Sequence, residues 1–187
     1  SIGESWGDIG EADIIVEAVF EDVAVKRDVM AKIESVCRSD AIIASNTSTI
    51  DLDMLAEGLN NPQRLIGLHF FNPAHAMPLV EVIRREKTTA EVVATAVKLV
   101  KDIRKTPVVV KNRAGFLVNR LFIPYFKEAF QLLEDGAEPR AVDSAMVDFG
   151  FAMGPLALID MAGIDILAMT DKQMCEAFPH HFPLSRV

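Results

Sequence analysis

Three short apolar runs set at helix-sized intervals constrain this chain more than anything else in it. ADIIVEAV (12–19), AIIAS (41–45) and RLIGLHFF (64–71) are rich in Ile, Val, Leu and Phe, and runs of this length and type read as buried strands. Between the first two, Val25, Val29, Ile33 and Val36 recur at helical spacing, and between the second and third DLDMLAEGL reads as a short helix. Strands joined through helices become parallel neighbours in one sheet. LVEVIR (79–84) and PVVV (107–110) then bracket a helix around TAEVVATAVKLVKDI. From Gly115 onward the strand signals stop, and three helical segments are expected: one reaching about Glu134, one starting at Pro139 and one starting at Pro155. Both prolines suit a first helical turn, and Gly136 and Gly150 suit helix ends. The expected fold class is therefore α/β followed by all-α, with a boundary near KNRAG (111–115).

Charge and composition narrow the partners. A net charge of -8 argues against a nucleic-acid or anionic-membrane surface, since both need a basic face. No apolar run approaches the roughly 18 residues of a membrane span. Cys37 and Cys175 stand alone and without metal spacing, so neither a disulfide framework nor a metal site is expected. Small molecules remain as the expected ligands.

In an open parallel sheet, ligands bind outside the carboxyl ends of the strands. Here three successive strands run out in polar residues, in VEAVFED, SNTST and HFFNP, which places Glu21, Asn46, Ser48 and His69 around a common crevice. Each also has a plainer reading. Ser48 with Asp51 three residues later has the form of a helix capping box. Glu21 and Lys26 could be a solvated helix start and its first turn. Asn72 before Pro73 is a turn signal whatever else it does, and His75 reads as structural or exposed. His69 sits at a strand terminus, and Glu81 follows twelve residues later on LVEVI. A return of that length can set a carboxylate beside the imidazole, where it would fix the tautomer and stabilise the imidazolium of a general base. A packed histidine is the alternative.

VEAVFED with Lys26, SNTST, HFFNP, LVEVI, GFLVNR and FAMGPLALIDMAGID, taken together and in order, resemble the L-3-hydroxyacyl-CoA dehydrogenase family across nearly the whole chain. The wording FGFAMGP is similar to the dehydrogenase part of multifunctional fatty-acid oxidation enzymes and their bacterial relatives. The resemblance implies NAD-dependent oxidation of the 3-hydroxyl of an acyl-CoA to a ketone. It implies His69 as general base, Glu81 as its partner, Ser48 as a hydrogen-bond donor to the substrate's 3-oxygen, and Asn119 reaching the same site from the first helix of the helical part. Glu21, Lys26, Asn46, Ser48 and Asn72 match positions on the cofactor's ribose and nicotinamide side. The family is a Rossmann-type NAD-binding domain with a helical domain, expected here as residues 1–112 and 113–187.

The departures matter too. No G-x-G-x-x-G occurs, so the sequence reads as a fragment without the family's first βαβ unit and without its closing segment, and the fragment is expected to be inactive by itself. Ala114 stands where many relatives have proline. GFLVNRLFIPYFKEAFQLL and PLALIDMAGIDILAM are apolar around most of a helical circumference, which favours a homodimer through residues 115–170. The bacterial resemblance implies a cytoplasmic setting, with a peroxisomal one as the alternative. Two rival readings stay open: another βαβ-plus-helical hydroxyacid dehydrogenase, which would use a lysine where this chain has Asn119, and a non-catalytic interaction module that keeps the fold.

Overall fold

The computed structural model describes residues 5–181. After a 3-10 turn at Trp6–Ile9, β1 (Ile14–Glu17), α1 (Val23–Val36), β2 (Ile42–Ser45) and α2 (Leu52–Ala56) alternate, and a second 3-10 turn, Pro62–Arg64, leads into β3 (Leu65–Phe70). β4 (Leu79–Arg84), α3 (Ala90–Asp102) and β5 (Thr106–Lys111) complete the sheet. Its order is β1-β2-β3-β4-β5. β1, β2 and β3 pair in parallel, as do β4 and β5, whereas β3 and β4 are antiparallel.

The strands read as nearly continuous apolar runs because both faces of the sheet are covered. Successive side chains alternate between faces. Ile15, Ile43, Leu65 and Ile83 go to one face with Met30 and Ile33 of α1 and Leu52 and Leu55 of α2. Ile42, Ala44, Ile66 and Leu68 go to the other, against Val92, Ala96 and Val100 of α3. In β3, residues 65, 67 and 69 therefore share the face covered by α1 and α2. Gly67 must be small there: a Cβ would lie 2.8 Å from Ile83 Cβ.

The helix starts follow from their caps. Asp22 accepts the Val25 N–H at 2.9 Å, and Thr89 accepts that of Val92 at 3.3 Å. The capping box whose form Ser48 and Asp51 share is not what starts α2. The cap is Asp51, whose carboxylate accepts the Asp53 N–H at 2.7 Å. A carboxylate one residue before the helix reaches its first-turn amides directly, so Ser48 stays outside the helix start.

The chain divides into two compact units between Phe116 and Leu117. The second holds α4 (Val118–Glu134), α5 (Pro139–Phe149), α6 (Pro155–Ala162) and α7 (Ile164–Ala177). The third helical segment expected from Pro155 onward is thus two helices. Gly163, at φ 101°, leaves the right-handed helical region at little steric cost and separates α6 from α7. Asp143 of α5 accepts the N–H groups of Leu156 and Ala157 at 2.8 and 3.1 Å, which satisfies the first turn of α6. Tyr125 stacks on Phe151 at 5.5 Å. No helix among the described residues is long and apolar enough to cross a membrane.

Candidate active site

The first unit gathers two polar clusters at the ends of β1, β2 and β3. One is a pair. β3 and β4 run antiparallel with His69 opposite Glu81, and His69 Nδ1 lies 2.7 Å from Glu81 Oε2. His69 is 5% exposed and Glu81 0%. The imidazole also packs at 4.5 Å against Phe71 and at 6.1 Å against Phe116. The packed histidine and the carboxylate-paired histidine are thus the same residue. A buried carboxylate is tolerated only with partners, and a histidine whose Nδ1 meets a carboxylate holds one tautomer, with Nε2 as the proton acceptor.

The second cluster surrounds Glu21. Its Oε1 accepts from the Thr47 hydroxyl at 2.6 Å, the Ser48 N–H at 2.9 Å, and the Thr49 N–H and hydroxyl at 3.0 and 3.1 Å. Burial alone would raise the Glu21 carboxyl. The Thr47 hydroxyl, the Lys26 charge and the Ser48 and Thr49 amides outweigh it and hold the group below the ordinary carboxylate range.

Lys26 is not a solvated first-turn lysine: it is 1% exposed. Its Nζ lies 3.1 and 3.0 Å from the two Glu17 oxygens, 3.1 Å from the Val19 carbonyl and 3.4 Å from Glu21 Oε2. The ammonium supports the carboxylates around it. Asn46 joins the two clusters, because its backbone N–H donates to the Glu17 carbonyl at 2.9 Å and its side-chain oxygen accepts the Phe70 N–H at 2.9 Å. It fastens the end of β2 to β1 and to β3, one residue past His69.

Asn72 is exposed, in the 71–78 connection, and is joined to Pro73 by a cis peptide bond. His75 is exposed on the same connection. Asn119 is half-buried in the first turn of α4, within the second unit. Four members of the Glu21 cluster are not singled out by the sequence: Glu17, Ser45, Thr47 and Thr49. A signal exists for Glu17, a carboxylate inside the otherwise apolar IIVEAV run. For the others it is the alternation of hydroxyl residues in SNTST. Among the described residues no group of three His, Cys, Asp or Glu side chains could hold a metal ion.

A NAD-type cofactor suits this donor set in part. Glu21, with a partly exposed side chain and one oxygen held by internal donors, has the chemistry of a hydroxyl acceptor. Lys26 is consumed internally.

Known proteins match nearly the whole chain. A family model described as 3-hydroxyacyl-CoA dehydrogenase, NAD binding domain, matches residues 1–113, and its C-terminal domain counterpart matches residues 115–186. The chain is 49% identical over 175 residues to the fatty acid oxidation complex subunit alpha of Psychrobacter arcticus, covering 94% of this chain and 24% of that protein. The same figures hold for the subunit alpha of Acinetobacter baumannii. The chain thus spans about a quarter of the length of these curated relatives. Among solved structures, FadB2 of M. tuberculosis superposes with a TM-score of 0.92 at 36% identity, over 98% of this chain and 66% of that one. A 3-hydroxybutyryl-CoA dehydrogenase from Escherichia coli gives 0.89 at 38% identity, over 96% and 39%.

Proposed function

The chain belongs to the 3-hydroxyacyl-CoA dehydrogenase family, and on that premise we propose that it is the dehydrogenase part of an enzyme that oxidises L-3-hydroxyacyl-CoA to 3-ketoacyl-CoA in fatty-acid oxidation. The observation that carries the reading is the buried His69–Glu81 contact of 2.7 Å at the end of β3. NAD, when bound, supplies the hydride acceptor. The chain's own residues do the rest. Nε2 of His69 takes the proton of the substrate's 3-hydroxyl, and Glu81 stabilises the imidazolium that results. Ser48 donates to the 3-oxygen as charge develops there, and Asn119, in the second unit, is carried over from the family match as a further substrate contact. Glu21, with Lys26 behind it, and Asn46 and Asn72 are assigned to the cofactor's ribose and nicotinamide side.

The names of the two bacterial relatives, both fatty acid oxidation complex subunits, support a cytoplasmic bacterial setting. No G-x-G-x-x-G occurs in the 187 residues, so the polypeptide alone is expected to bind NAD weakly, lacking the backbone amides that hold a pyrophosphate. The helical unit exposes large apolar side chains, Leu121, Phe149, Met161 and Ile164 among them. Covering them favours association, which supports a homodimer through residues 115–170.

The test of the activity is reduction of acetoacetyl-CoA by NADH, followed by the loss of NADH absorbance, with the full-length product of the gene. Turnover of the thioester is expected. Its absence under saturating cofactor would contradict the reading.

A further inference from the structure

We propose that Glu17 is a positioning residue for this reaction, one that holds the 45–49 segment, and Ser48 within it, by two separate arms. The inference rests on the dehydrogenase reading above. Glu17 is the last residue of β1 and is 3% exposed, a carboxylate placed among apolar strands with nothing in the proposed chemistry for it to do. Its contacts show what it holds.

The first arm runs through Ser45. The Ser45 hydroxyl donates to Glu17 Oε1 and accepts the Thr47 N–H at 3.2 Å, so Glu17 orients the hydroxyl that anchors the backbone one residue before Ser48. The second arm runs through Lys26. Two carboxylates share this single buried ammonium, and Glu17 holds the closer place, at 3.0 and 3.1 Å against 3.4 Å for Glu21. Because Glu17 takes the larger part of the charge, the other oxygen of Glu21 stays with the Thr47, Ser48 and Thr49 donors. Glu17 Oε2 also accepts the Val19 N–H at 3.1 Å, which fixes the turn from which Glu21 projects.

Removing the Glu17 charge leaves a buried ammonium with one carboxylate partner. Attraction at this separation is strong away from water, and an uncompensated buried charge is costly. Glu21 is then drawn toward Lys26 and away from the 47–49 donors. The segment loses its anchor, and Ser48 moves with it. A misplacement of about 1 Å at a reacting centre can cost on the order of 100-fold in rate.

The experiment is a double-mutant cycle on kcat in the full-length gene product, with acetoacetyl-CoA and NADH. Glu17→Gln and Ser45→Ala are each measured alone and in a Ser48→Ala background. Glu17→Gln is expected to lower kcat by roughly 10- to 100-fold with little change in the KM for the thioester. Ser45→Ala, which cuts one arm only, is expected to lower it less. The Ser45→Ala effect should vanish in the Ser48→Ala background, where nothing is left for that arm to position, and the Glu17→Gln effect should shrink. Losses of full size in that background, or wild-type kcat for Glu17→Gln, would overturn the inference. If Glu17→Gln does not fold, Ser45→Ala completes the same cycle and decides the matter alone, since it strands no buried charge. His69→Gln is measured alongside. If it turns over at the wild-type rate, the dehydrogenase reading fails and the inference with it. If it is slow while the Glu17 and Ser45 losses persist at full size without Ser48, the inference alone fails.

Discussion

His69 and Glu81 are direct register partners across the antiparallel pairing of β3 and β4, in a sheet whose other described pairings are parallel, and their side chains meet at 2.7 Å on its α1-and-α2 face. Antiparallel pairing is what makes this possible. The chain leaves β3 at its carboxyl end and re-enters the sheet at the same end as β4, so residues twelve apart in sequence stand opposite each other.

Glu81→Gln keeps the shape and a hydrogen-bond acceptor but removes the counter-charge of the imidazolium. We expect kcat to fall by about 10-fold or more, up to the roughly 10² to 10⁴ that a general base contributes. The KM for the thioester should hold. Steady-state kinetics of the full-length protein checks both, and an unchanged kcat would remove Glu81 from the proposed dyad.

Glu21 makes stability depend on pH. Its carboxyl is held below the ordinary value of 4.5. A depressed folded-state pKa contributes stability that is fully present above the unfolded value and is lost as pH falls through the folded one. Wild type should therefore melt higher than Glu21→Gln at pH 7, and the gap should close as pH is lowered below 4.5. A gap independent of pH would show that the carboxylate's charge contributes nothing.

Gly67→Ala should destabilise the first unit. The added methyl would lie 2.8 Å from Ile83 Cβ and 3.1 Å from Leu52 Cδ1, and overpacking of this kind costs about 1 to 3 kcal/mol. Urea unfolding of the 187-residue polypeptide, followed by the fluorescence of Trp6, its only tryptophan, measures the loss. Because β3 also carries His69, the same change should lower kcat of the full-length protein.

Much of this architecture is legible in the sequence because buried parallel strands and amphipathic helices leave different periodicities, and because polar residues at three successive strand ends have few other reasons to cluster. The twelve-residue return from His69 to Glu81 is legible for the same reason, since a β3–β4 return of that size brings strand residues opposite one another. Burial of Lys26 is not. A lysine in the first turn of a helix after Glu-Asp looks solvated, and only the fold brings Glu17 across to it. The break at Gly163 is hidden by the apolar residues on both sides, which continue the helical pattern through a glycine at positive φ. Asp51 displaces Ser48 as the cap of α2 because both are good capping residues and local spacing does not rank them.

Exposed Leu121, Phe149, Met161 and Ile164 bear on assembly. We expect the 187-residue polypeptide to sediment as a dimer at micromolar concentration, and Ile164→Glu, which places charge on that surface, to shift it toward monomer. A single species at 20.6 kDa would contradict the proposed homodimer.

Whether His69 takes the substrate's proton is tested most directly by kcat for acetoacetyl-CoA reduction by the full-length protein carrying His69→Gln. The expected result is a fall of about 10² to 10⁴, with the protein still folded and the KM for NADH little changed. A folded His69→Gln protein that turns over at close to the wild-type rate would contradict it.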